Sequence, residues 1–138
     1  MFAAADVAIA WRGWNGCAAD GIRITLSERT PSFDHPDSYG YALPYEGTHI
    51  VLFWDRIRNA VEPRALPYLA AHVLVHEVTH ILQGEARHSL TGVMKAKFTG
   101  TDVGQMQVHP LPFTEEDVEL MQRGLLARRV GLAQIAGK

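Results

Sequence analysis

Residues 76–98 read HEVTHILQGEARHSLTGVMKAKF. On a helix, positions i and i+4 lie about 40° apart and one turn up. His76 and His80 would therefore present two imidazoles on one face, a spacing suited to holding one metal ion from one rigid element. Glu77 lies next to that face, where a carboxylate can take a proton from water activated by the metal. This is the mechanical content of H-E-x-x-H. A catalytic zinc site usually has three protein ligands and one position left for water. Gly84 suits a left-handed helix C-cap because it has no Cβ to clash there. The chain can then turn back, and His88 arrives four residues later as a third candidate ligand. Ser89-Leu90-Thr91-Gly92-Val93-Met94 follows, a short turn ending in a methionine of buried type.

The helix that carries the pair is expected to begin between Arg64 and Pro67, since proline is tolerated in a first turn, and to run to about Gln83. Leu74, Val78, Ile81 and Leu82 form an apolar stripe at helical spacing. His76 and His80 lie almost opposite it, in line with Leu69, His72 and Val73. His72 completes an i, i+4, i+8 row with the pair and is read as a core or supporting histidine. A helix with a packed back and a histidine-bearing front belongs between a sheet and a cleft.

The run resembles the zinc site of the metzincin metallopeptidases, H-E-x-x-H-x-x-G-x-x-H followed by a methionine-bearing turn. Here the pattern is H-E-x-x-H-x-x-x-G-x-x-x-H-S-x-x-G-V-M, with the glycine one residue late and the third histidine two residues late. The resemblance covers about residues 72 to 98. It implies zinc held by His76, His80 and His88, Glu77 as general base, and Met94 as an apolar floor beneath the metal. Some metzincins carry a tyrosine two residues after the methionine; Ala96 stands there, so that ligand does not carry over. The resemblance also implies that Gly40, Tyr41 and Ala42, at the cleft rim, bind an extended substrate by strand pairing. Residues 95–112, a region that borders the specificity pocket in zincins, would form a wall of the substrate cleft.

Upstream of the helix, Val7 to Trp11 is expected to form a strand ending at Gly13, with a turn at Trp14-Asn15-Gly16-Cys17 and with Trp11 and Trp14 packed. Ile22 to Ser27 alternates apolar and polar residues, the mark of a half-buried strand. Thr30 to Ser38 is a loop in which His35 and Asp37 read as solvated. Gly40 to Leu43 is a short strand before a turn at Pro44 to Gly47. His49 to Trp54 is apolar on both faces and so interior to the sheet. Asp55 to Pro63 reads as a connection. After the motif, Lys95 to Pro112 shows no clear period, and His109 is given no role. Thr114 is the expected N-cap of a final helix with acids in its first turn. Val118, Met121, Leu125 and Leu126 form its apolar face and Arg128-Arg129 its basic end. A glutamate of that helix, Glu115, Glu116 or Glu119, is the alternative third ligand.

These elements predict one α+β domain over residues 1–138: a small twisted mixed sheet packed on a central active-site helix, with a C-terminal helix. Residues 1–62 form the sheet-rich part, 63–84 the active-site helix, and 85–138 the third ligand, the methionine turn and the final helix. With 138 residues, 47% hydrophobic and 20% charged, the chain has the composition of a soluble globule. Its net charge of −2, without a basic run, points away from nucleic acid. No apolar stretch approaches the roughly 20 residues of a membrane span. Met1 to Asp6 lacks the basic and apolar regions of a signal peptide. Cys17 is the only cysteine, so there is neither an intrachain disulfide nor a thiolate cluster. The expectation is a monomeric zinc endopeptidase acting on peptides or proteins. A non-catalytic module, stapled by zinc and binding a peptide or protein, is the alternative.

Overall fold

The computed structural model describes residues 1–13, 16 and 18–136 (side chains at 132, 133, 135 and 136 excepted). The expectations for Trp14 and Cys17 lie outside the described residues. Among these the architecture is α+β, with four α-helices and one three-stranded mixed sheet.

The strands are β1 (Arg23–Ser27), β2 (Gly40–Ala42) and β3 (His49–Phe53), in the order β1-β3-β2. β3, apolar on both faces, takes the centre as expected, pairing parallel with β1 and antiparallel with β2. Gly40 stands opposite Leu52, where a Cβ would meet the Val51 carbonyl oxygen at 2.7 Å. The Phe53 amide donates to the Tyr39 carbonyl (2.8 Å). By the alternation of an antiparallel ladder, Gly40 and Ala42 then turn their own N–H and C=O groups to the outer edge.

No strand forms over residues 7–11. A short 3-10 helix (Phe2–Ala5) ends at left-handed Asp6, and the chain continues extended with Val7 buried and Trp11 66% exposed. A strand needs a partner ladder, and among the described residues none pairs with this segment. Most of residues 55–63, expected as a connection, and Trp54, expected to end the strand, belong instead to the helix α1 (Trp54–Ala60). Ile57 is its one fully buried anchor, too little to show a period. The carboxylate of Asp55 accepts from the Thr30 amide (2.8 Å) and hydroxyl (2.7 Å). Arg56 donates to four carbonyls, those of Pro31, Asp34, His35 and Ser38, at 2.6 to 3.0 Å. The loop ahead of β2 is thereby fastened to α1.

Helix α2 (Leu66–Gln83) begins with Pro67 in its first turn and ends at Gly84 (φ 72°), whose amide reaches the carbonyls of His80 and Ile81. Every residue from His76 to Gln83 is buried, because this half is covered on several sides. Residues 95–112 are not irregular throughout: they contain α3 (Gly100–Met106). Thr99 caps α3 by accepting from the Asp102 amide, while the Asp102 carboxylate accepts from the Thr99 amide, a reciprocal capping box.

The final helix, α4 (Glu115–Ala136), packs on the back of α2. Thr114 and Asp117 form a second capping box at its start. Met121 is fully buried, but Leu126 is 62% exposed. Leu126 lies about 140° around the helix from Met121 at 100° per residue, outside the apolar face expected to include it. Arg128 and Arg129 do not end the helix, which runs on to Ala136. Arg128 instead donates to the carbonyls of Gly47 (2.7 Å) and Asp20 (2.6 Å). No helix among the described residues is long and apolar enough to cross a membrane.

Candidate metal centre

His76 and His80 project from one side of α2, and the turn after Gly84 returns His88 to them. One nitrogen of each ring lies within 4.8 Å of the others. The ring centroids form a near-equilateral triangle: 4.7 Å between His76 and His80, 5.2 Å between His76 and His88, and 5.0 Å between His80 and His88. Among the described residues this is the group of three or more potential ligands that could hold a metal ion. No carboxylate of α4 joins it: Glu116 binds Arg87 and Glu119 pairs with Arg123.

The tautomers follow from the backbone. Nδ1 of His76 meets the Val93 carbonyl at 2.8 Å, and Nδ1 of His80 meets the Glu85 carbonyl at 3.1 Å. A carbonyl only accepts, so in the neutral rings both Nδ1 atoms carry the proton and both Nε2 atoms offer lone pairs. Those two Nε2 atoms face each other at 3.1 Å. Two lone pairs at that distance repel unless a cation lies between or beside them. Protonation is a poor remedy, because burial, reinforced at His80 by the charges of His76 and His88, pushes both pKa values down to about 4. A metal ion relieves the repulsion, and three imidazoles without thiolate are a donor set for zinc and the later first-row metals. The residues present therefore fit a metal.

Glu77 is buried beside the cluster, and burial alone raises its pKa to about 7. His72 is a satisfied core residue as expected: its Nδ1 meets the Tyr68 carbonyl and its Nε2 accepts from the Leu111 amide. Met94 is fully buried, next in sequence to the carbonyl that holds His76. Gly92 (φ 77°) passes so close to Pro112 that a Cβ would approach its carbonyl oxygen to 2.2 Å. The Val93 amide donates to that same oxygen (2.9 Å). The methionine turn is thus fixed from both sides.

The cluster opens into a cleft of about 470 Å³. Val73, His76, Glu77 and His80 line it together with the β2 residues Gly40, Tyr41 and Ala42 and with Lys95 to Phe98. His35 and Asp37, exposed as expected of solvated loop residues, also border this cleft. His35 stacks flat on Tyr41, with centroids 4.3 Å apart and planes 6° apart, in a left-handed backbone conformation at φ 44°. Nothing in the local sequence marks this, because the loop that brings His35 onto Tyr41 is held by Arg56, 18 to 25 residues away in sequence. Asp117, by sequence only a first-turn acid, is fully buried. Burial works against its charge, yet bonds from Ser89, Thr114 and Arg87 keep its pKa below the ordinary value.

Comparison of the chain with protein-family models, with curated proteins and with solved structures found no match.

Proposed function

We propose that the protein is a zinc-dependent peptidase of metzincin type, with a zincin-like arrangement of sheet, central helix and cleft. The observation that carries this reading is the pair of Nε2 lone pairs facing each other at 3.1 Å with His88 closing the triangle. His76, His80 and His88 would hold the ion. Zinc bound there would polarise a peptide carbonyl and ease the deprotonation of water. Glu77 supplies the base: with a pKa near neutrality its carboxylate can accept a proton from the attacking water and pass it to the departing amine. Met94 would be the apolar floor below the ion. The outer edge of β2, where Gly40 and Ala42 present their backbone groups, supports pairing with an extended peptide.

The test uses zinc-loaded protein and a library of internally quenched peptides. Wild type should cleave members of the library. Glu77→Gln should keep its zinc and lose activity by about 10²-fold or more, the usual weight of a general base. Full activity in Glu77→Gln would remove Glu77 from the mechanism. Zinc binding and peptide binding without any cleavage would favour the non-catalytic module.

A further inference from the structure

The first two histidines are held by a rigid helix and by carbonyls on their Nδ1 atoms. His88 has neither support. It lies on the non-helical segment after Gly84, its side chain is exposed, and among the described residues no hydrogen bond holds its ring. Its two neighbours in sequence, by contrast, converge on one buried carboxylate. Arg87 Nη1 donates to Asp117 Oδ1 (3.0 Å), and Ser89 Oγ donates to the same oxygen (2.6 Å). Arg87 Nη1 also reaches Ser89 Oγ (3.1 Å), and Arg87 Nη2 reaches Glu116 Oε2 (2.5 Å). Asp117 Oδ2 is engaged by the Thr114 amide (2.8 Å), and Gln83 Nε2 donates to the Asp117 carbonyl (3.2 Å). The backbone of Ser89 is fixed in turn by its amide bond to the Met94 carbonyl (2.9 Å).

We propose that Asp117 is a positioning residue for the metal site: by clamping Arg87 and Ser89 it places His88 against His76 and His80. The inference rests on reading the three histidines as a metal centre. It assigns the start of α4 a task in metal binding, although no residue of α4 is a ligand. A carboxylate is required because both of its oxygens face donors. An amide would turn an NH₂ group either toward the Thr114 amide or toward Arg87 and Ser89, donor against donor. The clamp also suits the longer return loop, since a segment free to spread would otherwise lose order between Gly84 and His88.

The experiment measures zinc affinity by competition with a chromophoric chelator, at a temperature where circular dichroism shows every variant folded. Asp117→Asn should bind zinc about 10- to 100-fold more weakly than wild type, the range for groups that orient ligands. Ser89→Ala is the milder variant and decides the matter if Asp117→Asn does not fold. It should lose about three- to tenfold, the weight of one hydrogen bond. Each change is repeated in a His88→Ala background. A residue that acts through His88 has no further effect there, whereas a purely structural residue weakens the remaining two-histidine site equally. Wild-type affinity in both variants, or an equal loss with and without His88, would overturn the inference while leaving the metal centre intact. A folded wild type that takes up no zinc would overturn both.

Discussion

At Gly124 α4 passes close against the backbone of α2, and replacing it with alanine is a sharp test of their packing. A Cβ there would lie 1.7 Å from the Leu82 carbonyl oxygen, 2.8 Å from the Leu82 carbonyl carbon and 3.2 Å from that of Gln83. All three are backbone atoms of the last turn of α2, so no side chain can rotate away. Even the 3.0 Å limit that real Cβ contacts observe requires α4 to retreat by 1.3 Å, the difference between 3.0 and 1.7 Å. A radial gap of about 0.5–1 Å already forfeits a quarter to a half of the dispersion attraction. The retreat would open such a gap around Met121, and Asp117 resists it through its bonds to Arg87 and Ser89. Against backbone that cannot rotate away, overpacking costs about 3 kcal/mol, the upper end of its usual range, offset by about 1 kcal/mol of helix propensity. The net expectation is a loss of about 2 kcal/mol, or roughly 5–8 °C in melting temperature for a chain of this size. Gly131, on the same helix, has open space around it: a Cβ there would meet nothing within 4 Å. Gly131→Ala should therefore raise stability, by up to about 1 kcal/mol. Thermal and urea unfolding of the three proteins, followed by far-ultraviolet circular dichroism, read both effects. Gly124→Ala as stable as Gly131→Ala would refute the close-packed interface.

Two further outcomes follow from the site and its rim. In metal-free protein, the unfolded chain protonates His76 and His80 as pH falls below their ordinary value of 6.5, whereas the folded chain does not until about 4. Glu77 acts oppositely, taking up its proton from about pH 7 when folded and from 4.5 when unfolded. Between 4.5 and 6.5 these three groups alone make the unfolded state bind about one proton more (two minus one), and His72 and His88, whose pKa values burial also lowers, act in the same sense, so stability falls with falling pH. Glu77→Gln should steepen that slope by about one proton in pH-dependent urea titrations, and an unchanged or shallower slope would contradict the assignments. Arg56→Lys replaces a planar fork by a point charge that cannot serve four carbonyls. The Asp34 and Ser38 amides, bonded within the loop, should exchange with solvent at least about tenfold faster, a loss of about 1.4 kcal/mol; unchanged exchange would deny Arg56 its role.

What the sequence disclosed was local or strongly periodic. The H-E-x-x-H pair needs only the helical repeat, and Gly84 needs only its own backbone, so both are legible. β3 is legible because both of its faces are apolar. Helices α1 and α3 are not, since each has seven residues and a single buried anchor, Ile57 or Met106. Two turns are too few to establish a period. The start of α3 is nonetheless written in the Thr99–Asp102 capping pair. Val7 to Trp11 misleads because residues that favour an extended chain say nothing of a neighbouring strand. His35 on Tyr41, and Asp117 on Arg87 and Ser89, are contacts made only once the fold is assembled. The last two span 30 and 28 residues.

The central claim is that three histidines hold one metal ion. Elemental mass spectrometry of purified wild type and His88→Ala, each exposed to zinc and freed of excess by gel filtration, tests it most directly. Wild type should hold about one zinc per chain, as a three-ligand site requires, and His88→Ala little. A folded wild type without zinc, or a His88→Ala variant that retains it fully, would contradict the claim.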